Sequence, residues 1–145
     1  MSTEDSKAAA RRSLLEWNKG KAAAMALIDE MYATDVVYHR ATGEIIRGKN
    51  GYKQFTEEWF KAFPDFHITI DDIVVEGDKV ATRWTWTGTH KGTYMGIPPS
   101  NKKVTTWVIS IDRIVNSKVV EEWERSDTLG TMQQLGVIPK PGKGK

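Results

Sequence analysis

Two glutamates on one predicted strand are the residues of this sequence best suited to chemistry. They lie in residues 118–136, KVVEEWERSDTLGTMQQLG. Because successive side chains of a strand point to opposite faces, Glu122 and Glu124 should share one face with Val120. The opposite face would then carry Val119, Glu121 and Trp123. Carboxylates two residues apart on a strand are separated by about 6.5 to 7 Å, which lets them couple and serve one bound molecule. The alternative is the solvent face of an edge strand, where Glu is common.

Composition narrows the class of protein. A chain of 145 residues with 39% hydrophobic residues and six Trp can bury one sizeable core, so residues 1–145 should form one domain. The net charge is only +2 and several positive charges fall in the basic tail 140–145, so nucleic-acid binding is not indicated. The absence of Cys excludes disulfides and thiolate chemistry. No apolar run has the length of a signal peptide or a membrane span, so we expect a cytoplasmic protein that does not bind membranes.

The order of the predicted elements indicates an α+β domain. Helices are expected at about residues 6–20, 21–31 and 49–63, and a short strand at residues 36–39. From residue 66 onward the hydrophobic period becomes two, which predicts strands at about 66–76, 79–90, 103–115 and 118–125. Their short connections favour antiparallel neighbours, with the helices packed on one face of a curved sheet.

The predicted strand 103–115 indicates a second subunit. One face carries an apolar row of Trp107, Ile109 and Ile111, whereas the other carries Ser110 and more polar neighbours. Because the helices should cover the polar face, the apolar row needs another cover, and Val119 and Trp123 should extend it on the next strand. A homodimer through this face of the sheet is therefore expected.

Several short segments, in this order and spacing, resemble the SnoaL-like polyketide cyclase (ester cyclase) family. They are 62–65 (AFPD), 76–78 (EGD) with Arg83 and Trp84, 88–92 (GTHKG), 95–102 (MGIPPSNK), 113–115 (RIV), 120–124 (VEEWE) with Asp127, and 133–136 (QQLG). The resemblance covers about residues 13–137, between a polar N-terminal arm and the basic tail. It implies a cone of the nuclear-transport-factor-2-like type, in which a curved sheet and helices enclose a pocket.

The resemblance also implies where the site lies. The characterised cyclases of the family carry a catalytic aspartate at the position of Glu124, and a polar residue matching His39, or in second place Tyr38, lines the same pocket. His39 is a candidate for a second acid or base, with a structural His as the alternative. This sequence departs from the family in two places, because Glu replaces that Asp and Ser110 stands where those cyclases have a pocket histidine. Both departures bear on the choice of substrate.

The remaining candidates each have a structural alternative. Glu122 is either a hydrogen-bonded partner of Glu124 or only its neighbour, and two buried carboxylates would raise one pKa above the free value of about 4.3. Arg83 either holds a substrate oxygen or forms an ion pair, which we favour. His90 could bind substrate, although a role in a turn is the simpler interpretation. The stripe that contains Trp59 and Phe63 either lines the pocket or belongs to the core.

These residues together predict acid–base chemistry without a cofactor. Three scattered His without metal-binding spacing indicate no metal site, and no phosphate loop or nucleophile elbow is present. Glu124 would remove a proton next to a carbonyl of a small apolar molecule, and the enolate would attack a second carbonyl of the same molecule. One alternative is an epoxide hydrolase that uses Asp112, Arg83 and Glu124, or an isomerase of the same fold. Another is a ligand-binding module without catalytic activity.

Overall fold

The computed structural model describes residues 2–142. Four α-helices, one 3₁₀ turn and six strands occur within these residues. In chain order they are α1 (Thr3–Leu15), the 3₁₀ turn (Glu16–Lys19), α2 (Lys21–Met31), β1 (Tyr32–His39), β2 (Ile45–Arg47), α3 (Lys49–Ala62), β3 (His67–Glu76), β4 (Lys79–Thr89), β5 (Lys103–Val115), β6 (Lys118–Ser126) and α4 (Thr128–Gln134). No helix of the described range combines the length and apolar character needed to cross a membrane.

Local sequence signals explain where the helices begin and end. The Ser2 hydroxyl accepts a hydrogen bond from the Asp5 N–H, and the Asp5 carboxylate accepts one from the Ser2 N–H, so α1 starts with a capping box. Gly20 separates the 3₁₀ turn from α2 at φ 106°, a conformation that residues with a side chain rarely adopt. The short helix α4 was not predicted, although Asp127 caps it through a hydrogen bond from the Gly130 N–H.

The six strands form one mixed sheet in the order β2-β1-β6-β5-β4-β3. Consecutive strands from β3 to β6 pair antiparallel, as their short connections predict, whereas β1 pairs parallel with β6. The sheet is curved and does not close, and the helices cover its inner face. The predicted α+β architecture is therefore confirmed.

Alternate side chains of β5 show which face of the sheet is buried and which is exposed. Its inner residues Val104, Thr106, Val108, Ser110, Asp112 and Ile114 are all buried. On the outer face Trp107, Ile109 and Ile111 expose 49%, 45% and 37% of their surface. The apolar row expected opposite Ser110 thus lies on the outside of the sheet, uncovered by the helices.

The expected extension of this apolar row onto Val119 is wrong. Arg113 pairs with Glu121 while the next residue, Ile114, pairs with Val119, so β6 carries one extra residue at this point. Such a bulge reverses the alternation of side chains on one side of it. Val119 consequently points into the core, where only 1% of it is exposed, although strict alternation would put it beside Trp123.

Candidate active site

A cavity of about 60 Å³ lies between the inner face of the sheet and helices α1 and α3. This volume holds several water molecules, at about 10 to 15 Å³ each. Its aromatic wall includes Trp17, Tyr52, Phe55, Trp59, Trp84 and Trp86, and its polar wall includes Tyr38, Arg40, Glu122 and Glu124. Beside it lies an outer groove that shares Arg40, Thr42, Phe55, Trp59 and Tyr94 with the cavity and adds Glu44, Glu58 and Met95. A ligand larger than the cavity can therefore extend into the outer groove.

Two pairs of tyrosine and glutamate form the polar wall. The Tyr38 hydroxyl donates to Oε1 of Glu124 at 2.6 Å, and the Tyr52 hydroxyl donates to Oε1 of Glu122 at 2.8 Å. Burial raises the pKa of both phenols well above the usual value, so they stay protonated and act as donors. The two carboxyl groups are thus oriented by hydrogen bonds that a solvent-facing glutamate would not have.

The surroundings of Glu124 move its pKa in two directions. Burial raises the pKa, while the hydrogen bond from Tyr38 and the positive charge of Arg40 lower it. Burial is the larger effect, so the pKa lies above its ordinary value. A carboxyl whose pKa is displaced toward neutral pH is suited to accept and return a proton.

Asp112 adds a third acid to this part of the inner face. It lies opposite Glu122 on the paired strand, only 8% of it is exposed, and its Oδ1 has no hydrogen-bond partner among residues 2–142. Burial and the nearby charge of Glu124 raise the pKa of Asp112 to about 7. Burial and the charges of Asp112 and Glu124 raise the pKa of Glu122 well above its usual value. Near neutral pH this cluster therefore retains protons that free carboxyls would have lost.

The structure brings four of the predicted site residues together at the cavity. Glu122, Glu124, Tyr38 and Trp59 all line it, and the two glutamates face inward as strand alternation predicts. Their chemical roles stay a prediction. Ser110 is the inner-face neighbour of Glu124, but its hydroxyl lies behind the indole of Trp84, whose N–H it accepts at 3.1 Å.

Phe63 and His90 lie behind the cavity wall. Phe63 is fully buried and packs against Trp86, so it belongs to the core. His90 is also fully buried, and its Nδ1 accepts a hydrogen bond from the Ser100 N–H at 3.2 Å. Its backbone joins the two ends of the connection between β4 and β5, since the His90 N–H donates to the Lys102 carbonyl and the His90 carbonyl accepts from the Asn101 N–H. The prediction that either residue contacts substrate is therefore wrong for this structure.

His39 and Arg83 lie on the outer face of the sheet. His39 stacks on Trp123 and its Nε2 lies 2.7 Å from Oε2 of Glu121, because β1 pairs with β6 with His39 opposite Trp123. The hydrogen bond with His39 lowers the pKa of Glu121. The expectation that His39 lines the pocket is wrong, and Tyr38 occupies that place. The guanidinium of Arg83 is exposed and lies 4.0 Å from Asp71, so it cannot bind a substrate oxygen in the cavity.

The structure also reveals site residues that sequence analysis did not select. Tyr52 belongs to the apolar stripe of α3, and only its pairing with a buried carboxyl distinguishes it from a core aromatic. Arg40 lies just beyond β1, and its side chain is only 15% exposed beside the cavity. An arginine directly after a strand that ends at a predicted pocket is a signal that could have pointed to it. Residues 2–142 contain no group of His, Cys, Asp and Glu arranged to hold a metal ion.

Comparison with known proteins agrees with the fold. A proposed SnoaL-like polyketide cyclase from Jannaschia sp. has the same fold, with 20% identity, a TM-score of 0.85 and coverage of 96% of this chain and 98% of that one. AclR from Streptomyces galilaeus, a proposed hydroxylase, is 28% identical with a TM-score of 0.82, covering 95% and 100%. IdmH from Streptomyces antibioticus, a proposed polyketide cyclase, is 29% identical with a TM-score of 0.73, covering 94% and 99%. No curated protein sequence matches significantly.

These likenesses define the class as an α+β cone of the nuclear-transport-factor-2-like type. The model of the SnoaL-like polyketide cyclase family matches residues 8–135. The chain belongs to this family, and the resemblance stated from its sequence motifs is confirmed.

Proposed function

We propose that this protein is a cofactor-independent acid–base enzyme that cyclises a small apolar carbonyl compound, with Glu124 as the base. The observation that carries the proposal is the Glu124 carboxyl itself. It lines a mainly aromatic cavity, is oriented by Tyr38, and has a pKa raised by burial. A non-catalytic binding module would need none of these features, and an apolar cavity alone would serve it.

The proposed reaction keeps atoms and charges balanced. The Glu124 carboxylate removes a proton from the carbon next to a carbonyl, which leaves a neutral carboxylic acid and an enolate. The enolate carbon attacks a second carbonyl of the same molecule, and a new carbon–carbon bond and an alkoxide form. The alkoxide then takes a proton from Glu122, which its raised pKa holds protonated, and transfer of the proton on Glu124 to Glu122 restores both groups to their starting states. The aromatic wall contributes by holding the folded conformer in which the two carbons meet.

Two comparisons support this choice over other reactions. The family bears the name of polyketide cyclases, and IdmH, which matches nearly the whole chain, is a proposed polyketide cyclase. The epoxide hydrolase alternative required Arg83 beside Asp112 and Glu124, and Arg83 lies on the opposite face of the sheet. That alternative therefore loses Arg83 and would have to use Arg40, a cation that does line the cavity.

Substitution of Glu124, the proposed base, tests the proposal. A library of apolar diketones and aryl ketones is first screened by thermal shift, and compounds that bind are assayed for cyclised product. Glu124→Gln keeps the shape of the side chain and removes its ionisation, so turnover should fall by about 10² to 10⁴-fold while binding persists. Glu121→Gln on the same strand is the matched control, because Glu121 faces outward, and it should retain turnover. More than about one per cent residual activity in Glu124→Gln would remove Glu124 from the mechanism.

We also propose that the protein forms a homodimer through the apolar row Trp107, Ile109 and Ile111. These side chains are adjacent on the outer face and substantially exposed, which is unfavourable for a contiguous patch in water. A two-fold contact would use the patch twice and bury it at about 25 cal/mol per Å² of apolar surface. Trp107→Glu should give a monomer by light scattering, whereas Leu129→Glu on the exposed side of α4 should not change the mass. A monomeric unmodified protein at micromolar concentration would refute the dimer.

A further inference from the structure

Two hydrogen-bond donors on the cavity wall have no partner among residues 2–142. They are Nε of Arg40 and Nε1 of Trp59, and both atoms are buried. Both residues line the cavity as well as the outer groove, so the two side chains lie where these spaces meet. Buried donors without acceptors are rare in proteins because desolvating them is unfavourable, and each one calls for an explanation.

Contacts that do not involve the two unpaired N–H groups hold both side chains in place. The Arg40 guanidinium donates from Nη1 to Oε1 of Glu44 at 2.8 Å, and its Cζ lies 4.6 Å above the ring of Phe55. The indole of Trp59 packs edge-on against three rings, those of Phe66, Trp86 and Tyr94. An N–H that faces an aromatic ring recovers only a small part of a hydrogen bond. Both side chains are therefore held in position, and their two N–H groups remain without an acceptor among residues 2–142.

The charge of Arg40 indicates what kind of acceptor fits. It is close enough to lower the pKa of Glu124, so the ionised base and the guanidinium stabilise each other before reaction. When Glu124 takes a proton from a neutral substrate it becomes neutral, and the negative charge moves to the substrate oxygen. The cavity then contains the same net charge. Glu44 remains paired with Arg40 in the outer groove, but Arg40 keeps an anionic neighbour inside the cavity only if that oxygen lies beside it.

We infer that Arg40 and Trp59 form a binding site for the substrate oxygen that becomes negatively charged. This inference rests on the proposed function and specifies its substrate class as a neutral ketone or ester whose enolisable carbonyl points toward Arg40. The rest of such a molecule can occupy the cavity, the outer groove or both. Arg40 and Trp59 would act by stabilising the enolate rather than by moving a proton.

The test uses Glu124→Gln protein, because a permanently neutral residue 124 reproduces the charge state that follows proton transfer. Benzoate and benzamide serve as probes, since they share a shape and differ in the charge on the oxygen. Benzoate should bind roughly tenfold or more tightly than benzamide, as a charged hydrogen-bonded pair would predict. Calorimetry measures both affinities. Nuclear magnetic resonance follows the six indole N–H signals, and Trp59→Phe identifies the one that belongs to Trp59.

Three variants test which side chains cause the preference for benzoate over benzamide. Arg40→Met in the Glu124→Gln background should abolish the preference for benzoate, and Arg40→Lys should restore only part of it because the charge remains and Nε–H is lost. Trp59→Phe should weaken benzoate binding without altering benzamide binding. The exposed Lys21→Met is the matched control and should change neither. In the unmodified protein, the preference should appear only at pH values where Glu124 is protonated.

Equal affinity for the two probes in Glu124→Gln, or an unmoved Trp59 indole signal at saturating benzoate, would overturn the inference. Absence of detectable binding by either probe would overturn it as well. These binding measurements are independent of the test of Glu124 as the base, because that test measures turnover. If Glu124→Gln retains full activity but benzoate still binds through Arg40, the base assignment fails and the oxygen site stands.

Discussion

Asp112→Asn should make the protein more stable at alkaline pH and remove much of the pH dependence of its unfolding. Asp112 is buried opposite Glu122 with one oxygen unpaired among residues 2–142, and its pKa is raised from 3.8 to about 7. The folded protein thus retains a proton that the unfolded chain releases between these two values. Because the folded state binds more protons in this window, the contribution of Asp112 to the free energy of unfolding is greatest below pH 4 and falls as pH rises to about 7.

The size of this change in stability follows from the difference between the folded and unfolded pKa values of Asp112. The folded and unfolded pKa values differ by about three pH units, at about 1.4 kcal/mol per unit, so ionisation of Asp112 lowers the free energy of unfolding by about 4 kcal/mol at most. Asn has nearly the same shape and never ionises. The stability of Asp112→Asn relative to the unmodified protein should therefore increase by up to about this amount between pH 4 and pH 9.

Urea unfolding followed by Trp fluorescence at pH 4, 5.5, 7 and 9 measures this difference. Asp72→Asn is a suitable control, because Asp72 is exposed on β3, and its effect should not change with pH. If Asp112→Asn shifts the unfolding free energy by the same amount at every pH, Asp112 is not held protonated in the fold. The reasoning about the acidic cluster would then be wrong.

Three other changes test separate parts of the structure. Tyr38→Phe removes the hydrogen bond that lowers the pKa of Glu124, so the acidic limb of the pH–rate profile should move to higher pH. Gly92→Ala places a Cβ only 2.3 Å from the Lys61 carbonyl oxygen, so Tm should fall by several degrees in a thermal scan. Trp84→Phe leaves the buried Ser110 hydroxyl without its donor and should reduce the free energy of unfolding by about 1 to 3 kcal/mol in urea.

Strand alternation was a reliable guide wherever a strand stays regular. It placed Glu122 and Glu124 on the inner face because β6 is regular across both positions. It failed at Val119, because nothing in the sequence of β6 marks the bulge that reverses the alternation there. The same rule, applied to β4, would have placed Arg83 outside, since the neighbouring Trp84 is buried.

Residues from distant parts of the chain were harder to predict. Sequence analysis favoured His39 over Tyr38 for the pocket, and the structure reverses that order. The parallel pairing of β1 with β6 decides which of them faces the cavity, and a sequence does not specify that register. Tyr52 and Arg40 were missed because their roles depend on partners far along the chain or on packing against α3. The sequence pattern of a helix or strand predicts which of its residues share a face, whereas the site depends on how separate helices and strands pack together.

The parallel pairing of β1 with β6 also determines when the site can form during synthesis. Tyr38 and Glu124 are 86 residues apart, and Glu124 lies on β6, the last strand among residues 2–142. Until β6 has left the ribosome, β1 and β5 both lack a neighbour between them, and the cavity has no carboxyl wall. Such long-range closure is slow compared with the formation of helices and hairpins. A nascent chain that ends before β6 should therefore be unable to bind ligand, so ligand cannot assist folding before the final strand is in place.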